Sequence, residues 1–421
     1  MQKPNLSPVT ITERIAYLDI LRGISILFIY SANILFFSGI MFLPEDTPLR
    51  IYSLPTDELL SFLNYVLVDG KFYSLFSMLF GIGCVIQYNN LTSHNKAFAP
   101  FFRRRMFWLL VFGLTHLVLF WAGDILTLYA ILGFLLVYLI KKSDKTLLVS
   151  AVVLILLPLV NWAFIKYSGF FYPGLSFLVS TEIYQYFDMP LVEVNGNFRP
   201  DLTAYLLNDN VLNFFKMNLG NTFIRIGRIL DEGRAFKVFG IFLIGIWAGR
   251  KIINENLLDN SRFLKKVVIF SLLFGLPFNI LRGYFEFYAE ESDTNYFLKT
   301  LSYALGTVPL ALGYAAGIAL LAKNNVSFLN WFKPVGKTAL SNYLFQTGIS
   351  IILFYGFGFK LGGKFGFTYI MLIGLGVFIT QIIMSKVWLN YFRYGPMEWI
   401  WRMLTYGKNI RIRIDKKNQR S

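Results

Sequence analysis

The chain has 421 residues, 56% of them hydrophobic and 18% aromatic but only 15% charged, with a mean hydropathy of +0.54. A soluble domain carries about a quarter charged residues, so this composition excludes one and predicts an all-α polytopic integral membrane protein. The formal charge of +16 is spread over the loops between apolar runs with no recognition motif. That pattern suits a lipid bilayer with anionic headgroups and excludes nucleic acid as a partner.

Runs of about 17 to 25 apolar residues, each enough to cross some 30 Å of hydrocarbon, recur near residues 22–42, 70–88, 106–122, 124–140, 146–165, 236–249, 267–285, 299–322, 338–358 and 368–389. They predict about ten transmembrane helices. Asp19 and Arg22 sit at the start of the first run and no small-residue cleavage site follows it, so no cleavable signal is expected. Arg103 to Arg105, Lys141, Lys142, Arg250, Lys251, Lys265, Lys266, Lys333, Lys337 and the tail from Arg393 to Arg420 alternate with acidic loops at Glu45–Asp46, Asp57–Glu58 and Glu286 to Asp293. By the positive-inside rule, this places both termini in the cytoplasm. The expected organisation is a single membrane domain over 1–421, an extracytoplasmic cap at 167–235 between two five-helix halves, and a basic amphipathic cytoplasmic tail at 390–421.

Polar residues inside apolar runs are costly and face protein or water, so they are the candidate sites. In the first run Arg22 and Asn33 are eleven residues apart, about 16 Å on nearly one helix face, with Asp19 a turn below. Arg22 either snorkels to lipid phosphate, with Asn33 as interhelical glue, or contacts an anion at the cytoplasmic mouth of a cavity.

The second group is Asp69, Gly70 and Lys71 in DGKFYSLFSMLFGIG, with His116 and Asp124 in GLTHLVLFWAGDILTLYAILG. In an unbroken helix His116 lies about 12 Å deeper than Asp124, so contact needs a break at Gly123 or a partner on another span. A buried histidine is a proton acceptor near neutral pH that a carboxylate can orient. The alternative is a histidine satisfied by the backbone, with Asp69 and Lys71 as a local ion pair.

In the ninth run Thr338, Asn342 and Gln346 share a face at four-residue spacing, with Ser341 beside them, either joining helices or lining a substrate cavity. Before the sixth run, Arg225, Arg228, Asp231, Glu232 and Arg234 form a charged stretch, either a solvated face or a contact for an anionic headgroup. Gly313 and Gly317 read as a helix-packing face. Near the end, Pro396 and Glu398 open an amphipathic interfacial helix containing Trp399, Trp401 and Arg402. One cysteine, Cys84, and two histidines, His94 and His116, provide no multi-cysteine metal site or metal cluster, so no metal is expected.

LDILRG, DGKFYSLFSMLFGIG, THLVLFWAGDIL with LYAILG, GKTALSNYLFQT and GPMEWIWRMLTYG, in that order, resemble the YeiB-like bacterial membrane proteins, a domain of unknown function numbered 418. More distantly, Asp19-x-x-Arg22-Gly23 resembles the first helix of transmembrane acyltransferases, which pass acyl groups from cytoplasmic acyl-CoA to acceptors across the membrane. That resemblance implies Arg22 as a phosphate contact for the donor. Those enzymes carry a histidine about three turns after the arginine; here the position is Asn33, an amide that cannot act as a base. The base would then be His116, oriented by Asp69 or Asp124.

Two classes of function accommodate these residues. One is an acyltransferase-like enzyme of the bacterial cytoplasmic membrane, with acyl-CoA as donor and a glycan or lipid as acceptor. The alternative is a transporter or channel for a small or lipid-like molecule, with Asp19, Arg22, Asn33, Lys71, Ser341, Asn342 and Gln346 along the path. A non-catalytic scaffold or sensor, binding a partner through its aromatic outer loop, completes the range.

Overall fold

The structure, a computed structural model, describes residues 16–43, 52–194, 196–324 and 326–414; the expected acidic loop at Glu45–Asp46 and the end of the basic tail lie outside them. The chain is helical almost throughout. In order, α1 is Ala16–Phe37, α2 Asp57–Leu67, α3 Lys71–Ser93, α4 Phe98–Thr115, α5 Leu126–Leu139 and α6 Asp144–Ser168. Then come α7 Gly174–Tyr186, the strands β1 Leu191–Val194 and β2 Asn197–Pro200 in an antiparallel hairpin, α8 Leu202–Leu207 and α9 Val211–Asp231. The remainder is α10 Arg234–Asn254, α11 Ser261–Phe270, α12 Leu276–Phe287, α13 Asp293–Lys323, α14 Phe332–Lys337, α15 Ala339–Phe354, α16 Phe367–Tyr391 and α17 Pro396–Tyr406.

Among the described residues, six helical stretches, Ala16–Phe37, Asp57–Ser93, Asp144–Ser168, Ser261–Phe287, Asp293–Lys323 and Phe367–Tyr391, are long and apolar enough to cross a membrane, and Leu126–Leu139 and Ala339–Phe354 are shorter apolar helices. The protein is therefore a helical membrane protein. Its spans divide by what they face. Along α6, α11–α12 and α16, side chains such as Val152, Phe164, Leu273, Ile280, Leu375 and Ile383 are exposed, an apolar girdle suited to lipid. By contrast α1, α3 and α13 are the more buried spans.

The first span begins earlier than the apolar run at 22–42 suggested, because Asp19 is buried and paired with Arg22 at 3.1 Å, which lets the charged turn join the helix. Small residues then allow close crossings. A Cβ on Gly336 of α14 would sit 1.7 Å from the Asp19 carbonyl oxygen of α1, and one on Gly245 of α10 would sit 2.2 Å from the Met78 carbonyl of α3. At the expected packing face on α13, a Cβ on Gly313 would collide with the Ser271 hydroxyl, whereas the nearest atom to Gly317 is the Val268 side chain at 4.0 Å.

Two helices run into π-helical turns, at His116–Phe120 after α4 and at Ser271–Gly275 between α11 and α12. Such turns leave carbonyls without helical partners and are frequent at functional sites. The first is closed from outside the span: Asn218 of α9 donates to the Leu117 and Val118 carbonyls at 3.0 and 2.8 Å, and the Thr222 hydroxyl donates to Leu117 at 3.2 Å. Residues 167–235 thus hold α7, the hairpin, α8 and α9, with α9 folded against the π turn.

Candidate functional site

A cavity of about 970 Å³ runs along α1 and α3. Its walls include Arg22, Ile26, Ile29 and Asn33 of α1, a single face at three- and four-residue spacing. On α3 the lining extends from Phe72 to Gln87, fifteen residues or about 22 Å of helix. Phe28, Phe72, Phe76, Phe80 and Tyr129 make its middle apolar and aromatic.

Both ends are charged. At one end Arg22 is joined by Arg105, Lys337, Arg393, Arg402 and, as the one carboxylate among the described lining residues there, Glu398. Arg105 lies within electrostatic reach of Arg22 and Arg402. The floor here is α17: Trp401 stacks on the Arg105 guanidinium at 3.7 Å and donates its indole N–H to the Arg105 carbonyl at 3.0 Å. Glu398 holds this helix in place by accepting from the Leu340 and Ser341 backbone N–H groups at 2.6 and 3.2 Å and from the Ser341 hydroxyl at 2.5 Å. Those N–H groups belong to the first turn of α15, where no helical partner exists for them. Burial pushes the Glu398 carboxyl above its usual range against the opposing pull of these bonds.

At the opposite end lie Asp69, Arg225, Arg234, Arg282, Glu286, Lys299 and Tyr303. Asp69 does not pair with Lys71, which corrects the local ion pair read from sequence. Its carboxylate accepts from Arg282 Nη2 at 2.6 Å, while Lys71 Nζ donates to the Tyr65 and Asp69 backbone carbonyls at 3.0 and 2.8 Å. The physical reason is direction. Gly70, at φ +84°, turns the chain between the two side chains, so the first residue of α3 reaches back to carbonyls at the end of α2. Arg282 also stacks on Tyr65 and Tyr303 at 4.1 and 4.5 Å. Lys237, fully buried, places its ammonium 3.1 Å from the Tyr303 ring centroid.

His116 and Asp124 do meet. The π turn brings Trp121 into an extended conformation, the chain turns through Gly123, and Asp124 folds back so that its Oδ1 lies 2.9 Å from His116 Nδ1. Its Oδ2 accepts from the Thr127 backbone N–H at 2.7 Å in the first turn of α5. The other imidazole nitrogen, Nε2, lies 3.0 Å from Thr347 Oγ1 of α15, completing a hydroxyl, imidazole and carboxylate chain. All three residues are buried, and the cavity wall in front of them is formed by Gly123, Ile125 and Tyr343, whose ring centroid is 5.2 Å from the imidazole.

Of the sequence candidates, Arg22, Asn33 and Asp69 line the cavity; Asp19, Lys71, His116, Asp124, Ser341, Asn342 and Gln346 lie behind its walls. Asn342 Nδ2 donates to Thr338 Oγ1 at 2.8 Å and Ser385 Oγ at 3.0 Å. Gln346 Nε2 donates to Gln381 Oε1 at 2.8 Å, tying α15 to α16. Sequence reasoning passed over Arg282 and Thr347. The arginine was detectable, since it stands inside an apolar run and meets the same criterion that selected Arg22. A lone threonine carries no such signal.

With this geometry in hand, likeness to known proteins can be placed on it. The family described as "Protein of unknown function (DUF418)" matches residues 248–408, from the end of α10 through α17. That stretch, under half of the chain, is similar to the DUF418 family. The chain is also 29% identical over 412 residues to the uncharacterized protein YxaH of Bacillus subtilis (strain 168), covering 96% of each chain. It is 27% identical over 418 residues to the uncharacterized protein YeiB of Escherichia coli (strain K12), covering 93% of this chain and 96% of the other. A 39.9 kDa protein from the amylase 3′ region of Bacillus acidopullulyticus is 27% identical over 98% of this chain. The YeiB-like resemblance carried by the sequence motifs is borne out. The matching stretch holds Arg282, Thr347, Glu398 and the α17 floor, while Arg22 and the His116–Asp124 pair lie before it.

Proposed function

We propose that this protein is an acyltransferase-like enzyme of the bacterial cytoplasmic membrane, with about ten spans and both termini in the cytoplasm. It would take an acyl group from cytoplasmic acyl-CoA at the Arg22 end of the cavity and deliver it to a glycan or lipid acceptor at the Asp69 end. The observation that carries this reading is the cavity itself: an aromatic passage lined along about 22 Å of α3, with an arginine cluster at the proposed cytoplasmic end. Guanidinium groups bind phosphate oxygens bidentately, which suits the phosphates of coenzyme A at Arg22 and Arg105.

The chemistry would be attack of an acceptor hydroxyl on the thioester carbonyl, with the hydroxyl proton passing to an imidazole and the coenzyme A thiol leaving. His116 is the histidine oriented for that task, with Asp124 at 2.9 Å on Nδ1. Tyr343 must swing aside for it to work, since this ring lies between the imidazole and the cavity. A second reading, transport of an anionic amphiphile, draws its support from the same wall: no imidazole lines the passage and both ends carry arginine.

The test is calorimetric binding of acetyl-CoA to the full chain in nanodiscs, with Arg22→Ala and His116→Ala beside it. Saturable binding that Arg22→Ala abolishes and His116→Ala retains without turnover would support the enzyme. Absence of binding by folded protein would overturn it and favour transport, to be measured as flux.

A further inference from the structure

Among the described residues, four basic side chains line the Asp69 end of the cavity, and three of them are neutralised by their neighbours. Arg282 pairs with Asp69 at 2.6 Å, Arg234 with Glu232 at 2.5 Å and Lys299 with Glu286 at 3.0 Å. The fourth is Arg225 of α9. It lines the cavity, its Nε is buried without a hydrogen-bond partner, and it forms no ion pair with a described residue. The carboxylates within its electrostatic reach are directed elsewhere. Glu232 takes two bonds from Arg234, both on Oε2, and Asp124 spends one oxygen on His116 and the other on the Thr127 backbone. Asp231, six residues further along the same helix, is displaced roughly 9 Å along the axis and about 240° around it.

A guanidinium drawn partly out of water with no counter-ion is costly, and a site that retains one recovers the cost when an anion arrives. We infer that Arg225 is the anchor of an oxyanion subsite, binding the phosphate of an amphiphilic ligand whose apolar part lies along the aromatic wall. The location decides the class. Arg225 stands where the lining passes from Tyr129, Tyr343 and Phe76 to the charged rim of Arg234, Arg282 and Glu286. A phosphate placed there has an apolar channel for its tail on one side and a polar exit on the other. The subsite serves an enzyme's acceptor and a transporter's cargo equally, so it does not depend on the acyltransferase reading.

The experiment uses the full-length protein in nanodiscs of zwitterionic lipid, titrated separately with dihexanoyl phosphatidic acid and with inorganic phosphate. R225Q and K299Q are compared with the wild type. Saturable binding of the phosphatidic acid, weakened at least tenfold by R225Q and not by K299Q, is the expected result. Saturation by inorganic phosphate, equally sensitive to R225Q, also supports the subsite and identifies a free phosphate as its source. Equal binding by R225Q and wild type overturns it.

Should R225Q fail to fold, phenylglyoxal labelling of the wild type decides the question. Peptide mass spectrometry should find Arg225 modified in the free protein and protected by the probe. Binding without protection of Arg225 overturns the inference. Acetyl-CoA titrated into the same sample, with R22Q beside it, reports on the Arg22 and Arg105 end, so failure at one end is distinguishable from failure at the other.

Discussion

Asp124 offers the most discriminating substitution, because alanine and asparagine should behave differently for a reason visible in the hydrogen bonds. Its two oxygens serve two donors, His116 Nδ1 at 2.9 Å and the Thr127 backbone N–H at 2.7 Å, both in buried surroundings. Alanine orphans both. Each buried, unsatisfied donor costs about 1–3 kcal/mol, and interhelical bonds in membranes measure nearer 0.6 kcal/mol on average, so Asp124→Ala should lose about 2 kcal/mol. Asparagine can repair the site. Its carbonyl caps Thr127, its amide donates to Nδ1, and the imidazole proton moves to Nε2, where it donates to Thr347 Oγ1. Stability should then fall by less than ~1 kcal/mol, while the Nε2 lone pair needed by a base is lost. Thermal unfolding in detergent, read beside acyl transfer from acetyl-CoA, separates the two. An Asp124→Ala protein as stable as wild type, or an Asp124→Asn protein as damaged as Asp124→Ala, would refute the reasoning.

Further expectations concern the other end of the passage and the helix crossings. Arg22→Gln should weaken acetyl-CoA at least tenfold, about 1.4 kcal/mol, measured calorimetrically, and should also lower the melting temperature, because buried Asp19 loses its partner. Gly336→Ala places a Cβ 1.7 Å from the Asp19 carbonyl and should cost about 1–3 kcal/mol by forcing α14 off α1; Gly376→Ala, with open space around it, should leave melting unchanged. Glu398 titrates above its ordinary range because it is buried. The folded protein therefore holds a proton that the unfolded chain has released, and stability should rise as pH falls through the window just above the usual carboxylate value. Glu398→Gln should flatten that part of the melting-temperature profile.

What the sequence made legible follows from what periodicity and burial cost can encode. The stripe of Arg22 and Asn33 was readable because a helix fixes their relation, and both line one cavity. Helix α17 and the α15 face of Thr338, Asn342 and Gln346 were readable for the same reason. The Asp69 partner was not, because Arg282 lies 213 residues away and pairing across the chain leaves no local trace. The His116–Asp124 contact depended on a π turn whose carbonyls are satisfied by Asn218 and Thr222, side chains that bear no mark of that role. Only the need for a break near Gly123 could be foreseen, from the distance an intact helix would impose. Arg225 was visible as a charge, but its lack of a neutralising neighbour is a property of the assembled wall.

The closure of that π turn by α9 carries a consequence for how the protein is made. The tip between α4 and α5 holds exposed carbonyls, a carboxylate and an imidazole, and its covering amide, Asn218, follows Val118 by 100 residues. A bilayer offers no water to stand in for the missing donors. The tip therefore obtains these donors only once α9 has been made, so its final packing depends on a side chain translated 100 residues later.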